Sequence, residues 1–222
     1  MASPVRALVF DAYGTLFDPF AVRTCAEELF PGNGAALSQL WRAKQLEYSW
    51  LRTLMGRYEN FWKITEDALV FSCHTLKLSC NELQRKQLMQ VYLTLPAFPE
   101  VKSALEKLSH LPLSILSNGT PEMLSPLVAA NGMTHYFQNI FSADALQIYK
   151  PRPEVYHHAA ASLGVRKESI GFVSSNYWDI AGATSFGLRT YWLNRGAGTC
   201  DELGFTPSAI FASLTELARA LT

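Results

Sequence analysis

The sequence predicts an α/β fold, a doubly wound parallel sheet whose first strand is followed by a helical insertion. Three observations carry this. In the second half, short apolar runs alternate with amphipathic stretches of helical period, which implies right-handed crossovers and a sheet covered on both faces. An isolated apolar run, VRALVF, stands before a long block with no strand pattern. Three apolar runs also end in polar residues: Asp11, then Ser117-Asn118, then Ser174-Ser175-Asn176.

Taken in order, Val5 to Phe10 reads as the first strand. From about Phe20 to Leu95 the pattern is helical: in AALSQLWRAKQLEYSWLRTLM, apolar residues recur at Leu37, Leu40, Trp41, Tyr48, Leu51 and Met55, roughly a 3.6 period. FWKITEDALVFSCHTLKL and NELQRKQLMQVYLTL continue as two more helices, the second with Ser79 or Asn81 as N-cap. After Pro96 and Pro99 the grammar changes. PEVKSALEKLSH is helical, LPLSILSN a strand, and PEMLSPLVAANG a helix ending at Gly132. QNIFSA is a short strand; PEVYHHAAASLG is a helix with Pro153 in its first turn and Gly164 past its end. SIGFVSS is a strand, YWDIAGATSFG a helix, RTYWL a strand, and LTELARAL a closing helix. The expected division is a core of residues 1–17 and 97–222 around a helical cap of residues 18–96.

Composition bounds the partners. The 222 residues are 49% hydrophobic, with 13 Phe, 9 Tyr and 5 Trp, so the chain is globular. Nineteen basic and nineteen acidic residues cancel, which gives no sign of a nucleic-acid or anionic-membrane surface. Cys25, Cys73, Cys80 and Cys200 form no C-x-x-C pair and read as reduced thiols; Cys73 and His74 are neighbours that do not face each other on a helix. The N-terminus shows no signal peptide, and no apolar run approaches the roughly 20 residues of a membrane span. The expectation is a soluble cytoplasmic protein.

Loops at the carboxyl ends of parallel strands are where ligands bind, so the three polar strand ends fall along one edge. QIYKPRPEVY brings Lys150 there, before prolines that hold the backbone extended and start a helix. Each serine or asparagine alone could simply cap the next helix. All of them beside one aspartate form a site.

These stretches resemble the haloacid dehalogenase superfamily. VFDAYGTLFD is similar to its D-x-x-G-T nucleophile motif, SILSNG to its second, KPRPEVY to its lysine motif and FVSSNYWDIAGATSFG to its acidic fourth, in the expected order across the whole core. The resemblance also accounts for a cap inserted after the first strand. Two departures matter. Phosphatases of the superfamily place a second aspartate, their general acid, where this chain has Tyr13. Their fourth motif supplies acids for Mg²⁺; this chain has Ser174 and Ser175 where Gly and Asp are usual, leaving Asp179 alone. A halide needs no proton to leave, and a substrate without phosphate needs no divalent cation. The wording D-A-Y-G-T, S-N-G, K-P and S-S-N-x-x-D resembles the L-2-haloacid dehalogenase branch.

The resemblance implies roles. Asp11 is the nucleophile, with Thr15 bonded near it, and Lys150 holds its carboxylate. Ser117 meets the substrate carboxylate; Arg42 and Asn118 receive the halide. Tyr156, Ser174 and Asn176 complete the polar network, and Asp179 orients or deprotonates the hydrolytic water. Leu46, Phe61 and Trp178, with Tyr13, wall the substrate's alkyl group. By pattern alone, Arg42 on an amphipathic helix would also suit a solvated face, and Phe61 and Trp178 would suit plain core. His74, His110, His135, His157 and His158 match no motif. The implied enzyme hydrolyses short L-2-haloalkanoates to D-2-hydroxyalkanoates through an Asp11 ester, without metal or organic cofactor, as a homodimer through the cap. A hydrolase of fluoroacetate or a strained-ring carboxylate, a Mg²⁺-dependent phosphatase tolerating Ser175, and a binding module with a relic site are the alternatives.

Overall fold

The computed structural model describes residues 4–222. Six strands form one parallel sheet: β1 (Ala7–Phe10), β2 (Leu113–Ser117), β3 (Asn139–Ser142), β4 (Ile170–Ser174), β5 (Arg189–Leu193) and β6 (Ala209–Phe211), in the order β3-β2-β1-β4-β5-β6. The order reverses at β1, which pairs β2 on one side and β4 on the other. A ligand crevice is expected at that reversal, outside the carboxyl ends of the strands.

Every residue of β1, β2 and β4 is buried, which is why these strands read as continuous apolar runs instead of alternating ones. β1 is shorter than the apolar run that predicts it. Val5 and Arg6 precede it, Arg6 exposed, although the Arg6 amide already reaches Ser169 O at 2.8 Å. β6 is absent from the sequence reading. It is three residues long at the sheet edge, with Ile210 half exposed, too short for a period to declare itself. Gly171 in β4 has a packing reason: a Cβ there would lie 2.7 Å from Leu8 and 2.8 Å from the Tyr191 ring.

The helices of the core are α5 (Val101–Leu108), α6 (Pro121–Ala130), α7 (Pro153–Ser162), α8 (Tyr177–Phe186) and α9 (Leu214–Leu221). Proline opens α6 and α7, and Gly132 and Gly164, with φ of +64° and +63°, lie just past the ends of the same two helices. Between β1 and α5 lies the insertion, with α1 (Val22–Leu29), α2 (Gly34–Leu54), α3 (Phe61–Thr75) and α4 (Glu82–Val91). Asn81, not Ser79, caps α4, in a reciprocal capping box with Gln84. The chain leaves and re-enters the core at one place, where the Asp18 amide donates to Pro96 O at 2.9 Å. Trp41 of α2 and Tyr92 after α4 pack edge to face, centroids 5.0 Å apart, and the Trp41 indole donates to Thr65 O of α3. Among the described residues no helix is long and apolar enough to cross a membrane.

Leu8 is fully buried in the strand on which the sheet reverses. Leu8→Ala should lower the unfolding free energy by about 2–5 kcal/mol through lost burial plus a residual cavity. Urea denaturation followed by circular dichroism measures it, as a lower midpoint at unchanged slope.

Candidate active site

The strand ends converge as the topology requires. Asp11 follows β1, Ser117 ends β2, Lys150 follows β3, and Ser174 ends β4. Gly14, with φ of +91°, turns the chain back after Asp11 so that Thr15 faces the carboxylate it follows. Oδ2 of Asp11 accepts from Asn176 Nδ2 at 2.8 Å, from Thr15 Oγ1 at 3.0 Å and from Ser174 Oγ at 3.4 Å. Oδ1 accepts from Lys150 Nζ at 2.8 Å.

Lys150 is 1% exposed and bridges two acids. Its ammonium also donates to Asp179 Oδ2 at 2.7 Å and to Leu116 O at 3.1 Å. Burial works against that charge, but Asp11 and Asp179 outweigh it, so the Lys150 pKa is raised and the group stays an ammonium. Asp179 is fully buried; burial pushes its carboxyl up to about 6, with Lys150 pulling against it and Asp11 adding to the rise. The Tyr156 hydroxyl donates to Asp179 Oδ1 at 2.7 Å. Tyr156 thus stands behind the acid and not on the cavity. Gly182 makes room for it, since a Cβ there would fall 2.6 Å from that hydroxyl and from Pro151. The Lys150–Pro151 peptide is cis.

A small cavity lies over Asp11, lined by Tyr13, Arg42, Leu46, Phe61, Ser117, Asn118, Lys150 and Trp178. Arg42 reaches it from the cap and is not on a solvated face, being 8% exposed. Its Nη1 donates to Gln45 Oε1 at 2.6 Å and its Nη2 to Tyr13 O at 3.3 Å. Phe61 is buried and Trp178 partly buried, and both face the cavity. The Asn118 side-chain oxygen accepts from the Lys150 amide, and Ser117 Oγ from the Gly119 amide. Burial raises the Tyr13 phenol's pKa far above its usual value, so it is a neutral phenol with its hydroxyl buried and unpartnered among the described residues.

Two supporting residues lie outside the sequence reading. Gln45, one helical turn after Arg42, holds the guanidinium and donates to Thr65 Oγ1 at 2.7 Å; the i, i+3 spacing was its only signal. Arg195, after β5, donates to Thr15 O at 2.9 Å, to Gly14 O at 3.3 Å and to Ser175 Oγ at 2.7 Å, while pairing with Glu100 at 2.8 Å. It clamps the loop that carries Asp11 against the loop that carries Ser175. Nothing near Arg195 in sequence points there.

The arrangement is a carboxylate fixed by four donors beside an ammonium and a second buried acid, under a largely apolar roof. Such a group suits nucleophilic attack and later ester hydrolysis. Comparison with known proteins agrees with this chemistry. The family of haloacid dehalogenase-like hydrolases matches residues 5–187. The (S)-2-haloacid dehalogenase 2 of Pseudomonas sp. (strain CBS-3) is 43% identical over 219 residues, 98% of this chain and 96% of that protein. The haloacetate dehalogenase H-2 of Moraxella sp. (strain B) is 44% identical over 205 residues, 91% and 92% of the two. The structure of the L-2-haloacid dehalogenase of Xanthobacter autotrophicus with chloropropionic acid covalently bound superposes with a TM-score of 0.90 at 38% identity, covering 98% of both chains.

Removing the ammonium tests the electrostatics. Lys150→Met leaves Asp11 and Asp179 buried with no cation between them, which should cost about 3–5 kcal/mol at pH 8. With the pull of Lys150 gone, the Asp179 carboxyl, already raised by burial and by Asp11, rises further above its unfolded value of about 3.9, so the folded state takes up a proton the unfolded chain does not. The deficit relative to wild type should therefore shrink as pH falls from 8 towards 5.5, read by urea denaturation at both pH values. A pH-independent deficit would show that the carboxyls do not repel.

Proposed function

This chain belongs to the haloacid dehalogenase-like hydrolases, within the L-2-haloacid dehalogenase family, and on that premise we propose how its residues cleave a carbon–halide bond. It is a 2-haloacid hydrolase. The substrate is a short L-2-haloalkanoate, converted to the D-2-hydroxyalkanoate and halide. The observation that carries the mechanism is the unequal dress of the Asp11 carboxylate. Oδ2 has three side-chain donors, whereas Oδ1 has Lys150 alone and keeps lone-pair capacity toward the cavity.

Oδ1 attacks the α-carbon opposite the halide, forming an ester and inverting the centre. Arg42 and Asn118 meet the departing halide, which needs no proton. Ser117 receives the substrate carboxylate, and Leu46, Phe61, Trp178 and Tyr13 surround the alkyl group. Water then attacks the Asp11 carbonyl carbon. Charge develops on Oδ2, where Asn176, Thr15 and Ser174 already donate, so they stabilise it without rearranging. Asp179 takes the proton of that water and returns it to the hydroxyalkanoate oxygen as the acyl bond breaks, while Lys150 holds both acids and Tyr156 holds Asp179. The second step cleaves the acyl bond and leaves the inverted carbon alone.

The donor set does not fit Mg²⁺, which demands near-octahedral oxygen ligands. An ammonium already bridges Asp11 and Asp179, and Ser175, standing where phosphatases carry an acid, bonds the guanidinium of Arg195. No step is routed through a metal. Cap and core are divided at residues 17/18 and 96/97, supported by the Phe17–Ala97 bridge that closes the insertion. A homodimer through the cap is supported by Leu51 of α2, Met55 at its C-cap and Phe71 of α3, which are 42%, 63% and 36% exposed. A cytoplasmic location is supported by the thiols of Cys25, Cys73, Cys80 and Cys200, all unpaired.

Isotope placement tests the nucleophile. With enzyme in excess over L-2-chloropropionate in ¹⁸O-water, the first turnover should yield D-lactate without label in its hydroxyl, while the peptide carrying Asp11 gains ¹⁸O. Labelled first-turnover lactate with an unlabelled Asp11 peptide would make water the direct nucleophile and overturn the mechanism.

The pH profile tests the base. Asp179 acts ionised, and burial raises its pKa to about 6. The rate of halide release should fall as pH drops through about 6, and Asp179→Asn should remove that acidic limb along with most of the activity.

A further inference from the structure

We propose that Trp50, through its contact with Trp178, sets the chain-length limit of the substrate; this rests on the dehalogenase reading above. Trp50 belongs to no motif and does not line the catalytic cavity. It sits one helical turn beyond Leu46 on α2, on the face that carries Arg42 and Leu46 to the site, and Leu54 follows one turn later.

Two spaces meet at Trp178. On one side is the catalytic cavity, with about 10 Å³ of free room, the space of roughly one water. On the other is a mostly apolar chamber of about 650 Å³, open to solvent, between the cap and α8, lined in part by Trp50, Leu54, Pro151, Arg152, Asp201 and Phe205. Trp178 and Lys150 line both, and the Trp178 indole is the apolar part of the partition between them. The Trp50 ring meets it edge to face, with centroids 5.4 Å apart and planes at 74°. Both indole nitrogens are buried, and neither has a hydrogen-bond partner among the described residues. The Trp178 ring is therefore placed by packing, by Trp50 on the chamber side and by the Lys150 ammonium 6.0 Å from its centroid on the other.

Two outcomes follow for an alkyl group directed at Trp178. The space beneath the indole is that of about one water, so a methyl or ethyl displaces the ring least. A longer chain must push the indole into the chamber, which Trp50 resists. Without the Trp50 ring the partition gives way, and the chamber, lined by leucine, proline and aromatic carbon, accepts the methylenes. The ligand class of the chamber is the alkyl tail of a 2-haloalkanoate of about six carbons.

The test compares kcat and KM for L-2-bromopropionate and L-2-bromohexanoate in wild type, Trp50→Ala and Trp50→Phe. Trp50→Ala should raise the kcat/KM ratio of the six-carbon to the three-carbon acid by ~10-fold or more, mainly through a lower KM for the longer acid. Trp50→Phe keeps an aromatic edge against Trp178 and should stay within about threefold of wild type, where packing is largely conserved. Near-UV circular dichroism checks folding, and Trp50→Leu substitutes for the alanine variant where that variant is unfolded. A ratio unchanged in every folded variant, with both substrates slowed alike, would make Trp50 merely structural and overturn the inference. Absence of halide release from both acids in wild type would instead strike the dehalogenase reading itself.

Discussion

The Lys150 ammonium, sealed between the carboxylates of Asp11 and Asp179, is the contact on which the site depends. A charge so deep is tolerable only when it is paired and its protons are used, and here Nζ donates to Asp11, to Asp179 and to Leu116 O. The three groups follow different strands, so the ion cluster exists only when β1, β3 and β4 stand in register on either side of β2. The catalytic constellation therefore also monitors correct assembly of the sheet. Two carboxylates leave one negative charge unmatched by Lys150; Arg42 brings a second cation to the same cavity from the cap. Cap and core are electrostatically incomplete without each other.

That dependence explains what was legible in the sequence. Asp11, Ser117, Ser174, Asn176 and Asp179 stand at strand ends or one turn beyond, and strands buried on both faces advertise themselves as apolar runs. The loops after them could be read as one edge because parallel topology permits nothing else. The helices were legible for a similar reason, as α2, α3 and α4 each carry a period and a stop. β6 was illegible because a three-residue edge strand has no period, and the length of β1 because Val5 continues an apolar run that pairing does not use.

Within the site, the limits were those of contact at a distance. Arg42 could be assigned only by resemblance, since its burial depends on α2 lying over the sheet. Gln45 was within reach of a spacing argument. Arg195 was not: it lies 180 residues from Thr15, whose carbonyl it holds, and only the neighbouring places of β4 and β5 bring it there. Tyr156 shows the converse case, a residue correctly grouped with the polar network yet placed behind Asp179 instead of on the cavity wall.

Tyr13 and Ser175 now take a joint meaning. In the phosphatases of this superfamily both positions carry acids, one to protonate an alkoxide and one to hold a metal. Here Tyr13 is a buried neutral phenol packed against Phe61 and Tyr92, with centroids 6.0 and 6.1 Å away, so it contributes an apolar wall where a proton donor would stand. The Ser175 hydroxyl oxygen accepts from Arg195, a fixed cation tied by Glu100 and stacked over Phe98 at 4.1 Å. The positive charge that a metal would bring to this edge is thus covalently part of the chain and directed at the backbone of the Asp11 loop. A cation held there fixes the loop that presents Asp11 and keeps its own charge out of the cavity above it. Both residues lie in loops, after β1 and after β4, that the sheet holds side by side.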